Sequence, residues 1–453
     1  MIRTLGVLAT AAAVTLWSFL SPHPGPARGP DSGVAPLDVR ALLAAARGAP
    51  PIICALAARS LRSYGWGDHG HDAPVTPLGN VLDRDDADLQ HLPAADVDRL
   101  VEALALEDPC VRELSVRLLG HQSDDAVAGP LVARLGAGDA SLRAVAAFGL
   151  GLAESARAVD PLVRTLRDAS ADARANAAWA LGSIGDGRAL APVVALFRDD
   201  QVVVREAAVV AAGRFESTST VALLMRVLRQ DDAPAVRRAA AWALGELESR
   251  AATPALAEAL SRDADARVRE MAAWAIGETE SRGGSAALVA ALRRDADDAV
   301  RETAAWALGQ TEDGAAAEAL GSAAAEDRSA DVRGTAAWAL GQLEGQAAPS
   351  GLLRALRDEN KDVRLKAAWA LGETTSPAAP AALREALGRE TDARTRLALV
   401  RALVKSGEQS ERTLTELLSS RDPQVREAAV RGLAGNDAFE PWPWPEPRPR
   451  PFP

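Results

Sequence analysis

The sequence predicts an all-α solenoid of about eleven two-helix repeats, and three observations carry that reading. The stretch Val300-Arg301-Glu302-Thr303-Ala304-Ala305-Trp306-Ala307-Leu308-Gly309 recurs at Val236–Gly245, Val268–Gly277, Val332–Gly341 and Val363–Gly372. A segment copied in register is one supersecondary unit repeated along a rod. Its arginine returns as Arg112, Arg143, Arg174, Arg205, Arg237, Arg269, Arg301, Arg333, Arg364, Arg394 and Arg426, at intervals of 30 to 32 residues, inside the window of helical solenoids. Much of the apolar content is alanine, with one Tyr and six Phe. With a ~3.6-residue periodicity, that composition favours helices packed closely through small side chains.

A chain of 453 residues would ordinarily fold as several globular domains. An uninterrupted repeat replaces that expectation with one elongated body whose core is shared between neighbours. The net charge of −11 makes the body acidic and excludes nucleic acid as a partner, since phosphate binding needs a basic stripe. Cys54 and Cys110 are the only cysteines and belong to no CxxC or Cys/His cluster, so they do not form a zinc site. They are either two small buried side chains or, in an exported chain, a disulfide clipping the first helical units.

Residues 1–20 carry Arg3 and then an apolar run, the form of a signal peptide or a membrane anchor. The run is short for a spanning helix, which needs about 20 residues. Such a start implies export to the periplasm, or anchoring with the solenoid outside the cytoplasm; the alternative is a chance hydrophobic start on a cytoplasmic protein. Residues 21–36 form a Pro/Gly linker. Residues 37–66 read as a degenerate helix pair capping the stack, and 67–95 as a polar loop. Within it Asp68, His69, His71 and Asp72 offer a divalent-metal arrangement, but with nothing further to fix its geometry a solvated turn is the preferred reading. No metal or cofactor is assigned.

The regular array spans 96–435. Pro130, Pro161, Pro192, Pro254 and Pro380 open first helices at the first position, where a missing N–H costs nothing. Six residues before the marker arginine stands Asp168, Asp199, Asp231, Asp263, Asp295, Asp327 or Asp358, placed to cap the second helix. The arginines themselves form a ladder with these carboxylates in the same or next repeat.

The pattern V-R-x-x-A-A-W-A-L-G after an R-D-x turn resembles HEAT-like repeats of the phycocyanobilin-lyase type. The resemblance implies an α-solenoid forming a right-handed superhelix with second helices on its concave surface. It implies a binding scaffold more than an activity, because fold does not fix function. Some relatives are bilin lyases, and others are deoxyhypusine hydroxylases whose iron site uses paired His-Glu dipeptides. This sequence has no His-Glu pair and no His after His121, so it departs from the hydroxylase pattern. Bilin-lyase-like chromophore binding stays as the enzymatic alternative.

With Val300 at zero and ~100° per residue, Ala304, Ala307 and Leu308 fall beside Val300 as a core stripe, while Trp306 falls at ~240° between Glu302 and Gln310. Trp179, Trp242, Trp274, Trp306, Trp338 and Trp369 share this position. Either each indole covers the neighbouring repeat, or the indoles form an exposed strip that binds a partner. On the second arrangement Trp179, Trp242, Trp274, Trp306, Trp338 and Trp369, with Glu270, Glu278 and Glu302, are the partner-binding residues. An aromatic floor edged by carboxylates suits extended Arg-, Lys- or Pro-bearing protein segments.

Gly120, Gly151, Gly182, Gly213, Gly245, Gly277, Gly309, Gly341 and Gly372 hold one register inside a helix. Each costs ~1 kcal/mol relative to Ala there, which implies close helix–helix approach. Residues 436–453 form a Pro-rich extended tail, in which Pro alternates with Trp, Glu, Arg and Phe from Pro441 to Pro453 and favours a polyproline II rod. This tail is either a plain extension or a ligand for the acidic groove of its own or another copy. The functional expectation is a non-enzymatic protein-interaction scaffold of the cell envelope, touching the membrane only through its N-terminal segment.

Overall fold

The computed structural model describes residues 37–51, 54, 91–343, 348–374, 376–406 and 411–433. The chain divides into a unit of Met1–Asp38 and one of Val39–Pro453, and the helical array belongs to the second. The N-terminal apolar segment, the Asp68–Asp72 cluster and the Pro-rich tail lie outside the described residues.

Among the described residues every element is helical. A helix at Val39–Ala46 is succeeded from Ala94 onward by eleven pairs, from Ala94–Ala103 with Pro109–Gly120 to Glu411–Leu418 with Pro423–Leu433. Cys110, in the second helix of the first pair, is disulfide-bonded to Cys54, so the clip is the alternative the chain adopts.

The Arg301 repeat shows why the pairs form. Its second helix, Asp298–Gln310, is capped by Asp297, whose carboxylate accepts from the Ala299 N–H. Val300, Ala304, Ala307 and Leu308 are fully buried, as the stripe predicted. Ala305, Trp306 and Thr303 on the other flanks are buried as well. A second helix packs against its own first helix and the second helices on both sides, so only a narrow strip escapes. The single-stripe wheel therefore underestimated burial.

The marker arginines build the predicted ladder, and it runs forward. Arg301 donates from Nε and Nη2 to Asp327 of the next repeat at 2.8 and 2.9 Å, and from Nη1 to the Asp295 carbonyl in its own turn at 3.1 Å. The same forked arrangement joins Arg174 to Asp199, Arg237 to Asp263 and Arg269 to Asp295, and Arg364 to Glu390. Such forks fix orientation as well as adding energy.

Two local expectations are corrected. The aspartates six residues before the arginines do not cap the second helix. They accept the fork and the N–H two residues on, as Asp168 does from Ser170. The capping residue stands four before the arginine, for example Ser170, Asp265 or Asn360. Pro254 and Pro380 do sit in first turns, and Pro161 and Pro192 are third residues of their helices. Pro130, by contrast, lies inside Asp124–Arg134.

Candidate functional site: the inner face of the second helices

The second helices pack on one another along most of their length and the first helices less so, making the second-helix layer the tighter, inner side of the stack. Glycine permits this approach. A Cβ on Gly182 would sit 2.6 Å from the Ala211 Cα. On Gly277 it would sit 2.6 Å from Cζ3 of Trp306, and on Gly245 2.6 Å from Cζ3 of Trp274. Each indole is thus wedged onto the glycine of the preceding repeat.

The open aromatic strip is therefore overturned. Trp242, Trp274, Trp306, Trp338 and Trp369 are only 4–8% exposed. The wheel assigned the indoles to the outward side, whereas each ring fills the notch that the preceding repeat's glycine leaves. Trp179 alone of the six is half-buried. It faces Phe148 with ring centroids 5.0 Å apart. Arg214 lies over Trp179 at 5.7 Å and Arg117 over Phe148 at 5.9 Å. With the smaller Val210 where the next indole would stand, that end of the face is closed by guanidinium groups.

Carboxylates predominate on the inner face along the Arg237, Arg269 and Arg301 repeats, with the half-buried Arg238 among them, 4.0 Å from Glu206. Glu270, Glu278 and Glu302 are half-buried on it, and Glu246, Glu248, Glu280 and Glu312 are exposed. Glu302 accepts from Thr335 Oγ1 at 3.4 Å. Glu278 ends its helix among like charges. Burial, then Glu246, Glu248 and Glu280, push its carboxyl up to about 7. Farther along, Lys366 lies where a Cβ on Gly334 would meet it at 3.3 Å, and burial lowers its pKa against the pull of Glu302. Lys405 pairs with Glu373 at 2.8 Å.

One acidic row escaped the sequence reading. Glu154, Glu216, Glu248, Glu280 and Glu312 all have φ between 45° and 51°, the left-handed region that suits glycine and that Gly185 occupies in the Arg174 repeat. Each stands just past the end of a second helix, where its N–H closes the turn, as Glu280 does onto the Gly277 carbonyl at 2.9 Å. The signal was available: each Glu stands eleven residues after its marker arginine. Two local rules are broken at every copy. A side chain in this conformation costs ~1 kcal/mol or more, and a carboxylate at a helix C-terminus opposes the helix dipole.

Among the described residues no group of three His, Cys, Asp or Glu is arranged to hold a metal, and no helix is long and apolar enough to cross a membrane.

The HEAT-repeat profile matches residues 128–211, 201–277, 253–340, 285–361 and 317–404, more than half of the chain. The chain belongs to the HEAT-repeat family. No curated protein matches it. Solved HEAT-repeat structures resemble this one in fold. Kap95p, solved in connection with RanGDP, superposes with TM-score 0.52 at 15% identity, covering 84% of this chain and 62% of its own. An importin beta crystallised in ammonium sulfate gives 0.53 at 14%, covering 75% and 57%. This HEAT-repeat protein thus spans about three fifths of their length. The CpcE–CpcF phycocyanin lyase of Nostoc sp. PCC7120 is 21% identical, with a TM-score of 0.34, over 61% of this chain and 94% of the other.

Proposed function

We infer that this HEAT-repeat protein is a non-enzymatic scaffold whose inner face grips an extended, cation-bearing protein segment. The observation that carries this reading is the row of left-handed glutamates beside Glu246 and Glu278. Local rules broken in register mark places shaped by something other than stability. A carboxylate lane across several repeats offers a linear binding surface to arginine or lysine side chains spaced along an extended chain. The tryptophans contribute by holding that surface rigid, not by touching the partner.

The Cys54–Cys110 disulfide supports an oxidising compartment, in keeping with the apolar N-terminal segment, and so a place in the cell envelope. Fluorescence anisotropy with two labelled peptides of equal length, one Pro/Arg and one Pro/Gln, tests the binding reading on the full chain. Capture of the Arg peptide alone, weakening as salt rises, supports it. Equal binding or none refutes it.

A further inference from the structure

The arginine ladder stops one rung short of the end of the stack. From Arg143 to Arg364 each marker arginine donates from Nε and Nη2 to a carboxylate in the turn of the next repeat, at 2.6 to 3.0 Å. In the tenth pair the structure moves the marker from Arg394, which is exposed, to the half-buried Arg396. The Arg396 N–H bonds to the Asp392 carbonyl as that of Arg301 bonds to Asp297. Glu390, which accepts the Arg364 fork, stands six residues before Arg396, the offset kept along the ladder.

In the same register the acceptor position for Arg396 lies six residues before Arg426, and it is Ser420. The backbone there is built as at the other rungs. The Ser420 carbonyl accepts from Arg426 Nη1 at 2.5 Å, as that of Asp295 accepts from Arg301. The Ser420 hydroxyl accepts the Asp422 N–H at 3.2 Å, as the Asp295 carboxylate accepts that of Asp297. A single hydroxyl oxygen cannot take a two-pronged fork. Nε of Arg396 is enclosed and finds no hydrogen-bond acceptor among the described residues. A guanidinium N–H taken out of water without a partner is a costly arrangement, and it occurs at the rung whose acceptor position has lost its carboxylate.

We propose that the rung of Arg396 and Ser420 is a binding site for a carboxylate supplied from outside the array. The two carboxylate oxygens take Nε–H and Nη2–H of Arg396, as Asp327 takes those of Arg301. Ser420 Oγ already accepts the Asp422 N–H, which leaves its proton to donate to the ligand. Asp422, which caps the last helix through the Gln424 N–H at 2.9 Å, is no obstacle. Asp297 caps its helix in the same position, and Asp295 two residues away still accepts the Arg269 fork. Arg396 and Ser420 are both half-buried, so a ligand reaches the rung from solvent. The rung joins Ala393–Lys405 to Pro423–Leu433, so a bound carboxylate fastens the last pair to the array, and occupancy and order rise together. It lies at the turns before the second helices, away from the glutamate row at their other end, and does not depend on the binding reading above.

Hydrogen exchange of the full chain, in acetate and in chloride at equal ionic strength, tests the site. Acetate is expected to slow exchange in Ala393–Lys405 and Pro423–Leu433 and to leave Asp298–Gln310 unchanged. Ser420→Asp supplies the carboxylate in cis. It should slow exchange of the same two helices by about tenfold in chloride and remove the response to acetate. Arg396→Met should remove the response with helicity retained. A blocked Pro/Glu peptide that acts at lower concentration than acetate assigns the rung to a protein segment; acetate acting where the peptide does not assigns it to a free small carboxylate. Either result supports the site. Acetate that protects no more than chloride overturns the proposal, as does a response that survives in Arg396→Met. A Ser420→Asp chain exchanging no slower than the parent overturns it too, and this comparison decides even where Arg396→Met loosens the end of the array by itself.

Discussion

Arg301 and Asp327 are joined across two repeats by parallel N–H···O bonds of 2.8 and 2.9 Å, with side chains only 5% and 10% exposed. Breaking such a pair from one side strands a buried charge and costs about 3 kcal/mol or more. Asp327→Ala is expected to speed hydrogen exchange in Asp298–Gln310 and Ala330–Gln342 and to lower the urea midpoint. Arg301→Met combined with Asp327→Leu should cost much less than the two single changes added together. Additive single effects would show that the fork does not couple the repeats.

The glycine–indole wedge makes a second expectation. Gly309→Leu forces a side chain into the place of Cζ3 of Trp338, 3.1 Å from a Cβ at that position, and of the Ala339 backbone at 3.2 Å. Overpacking of this kind costs about 1–3 kcal/mol or more, outweighing the ~1 kcal/mol gained in helix propensity. Trp306→Ala should cost about 3–5 kcal/mol by leaving a cavity. Thermal unfolding with helicity as the readout checks both, and a neutral Trp306→Ala would reinstate an exposed ring.

How much of this was legible beforehand can be seen at Trp306 and Arg301. Period and spacing gave the helix pairs, the arginine ladder and the close approach at glycine, because each is a local regularity copied many times. The fate of the indole was not legible. A helical wheel reports where a Cβ points, not whether a long ring swings back over a neighbour. The left-handed glutamates were missed because glutamate carries no turn signal of its own, and only the offset from the arginine betrays them.

Relieving that strain should stabilise the fold. Glu248→Gly, Glu280→Gly and Glu312→Gly each place the residue best suited to φ near 45–48° and remove a charge opposing the helix dipole. Each is expected to gain about 0.5–1 kcal/mol in urea unfolding. The triple variant should at the same time bind Pro/Arg peptides more weakly. A loss of stability would mean that the carboxylates make stabilising contacts instead.

Acid and neutral pH should act in opposite directions. The Arg143 guanidinium holds the Asp168 carboxyl below its ordinary range, and Arg364 does the same for Glu390. Depressed folded-state values contribute stability in full above the unfolded pKa of about 4, and lose it as pH falls through the lower folded value. Glu278, raised from 4.5 to about 7, contributes stability that is complete below about 4.5 and is lost as pH rises through 7. Glu278→Gln should therefore gain on the order of 1–2 kcal/mol at pH 8 relative to pH 5, after allowance for its partial exposure. Urea curves at the two pH values that shift equally for variant and parent would contradict this.

Reduction of Cys54–Cys110, whose partners are 56 residues apart, should loosen the N-terminal end of the stack by about 2–4 kcal/mol. Exchange is expected to rise in Ala94–Ala103 and Pro109–Gly120 and to stay unchanged in Asp298–Gln310. Uniform destabilisation along the whole array would show that the clip acts beyond its own repeats.

The most direct measurement is the affinity of the full chain for a labelled Pro/Arg peptide before and after Glu246→Gln, Glu278→Gln and Glu280→Gln are introduced together, at fixed salt. At least a tenfold loss with helicity unchanged is expected if the carboxylate lane is the docking surface. Undiminished affinity would contradict it and send the search for the partner site elsewhere on the solenoid.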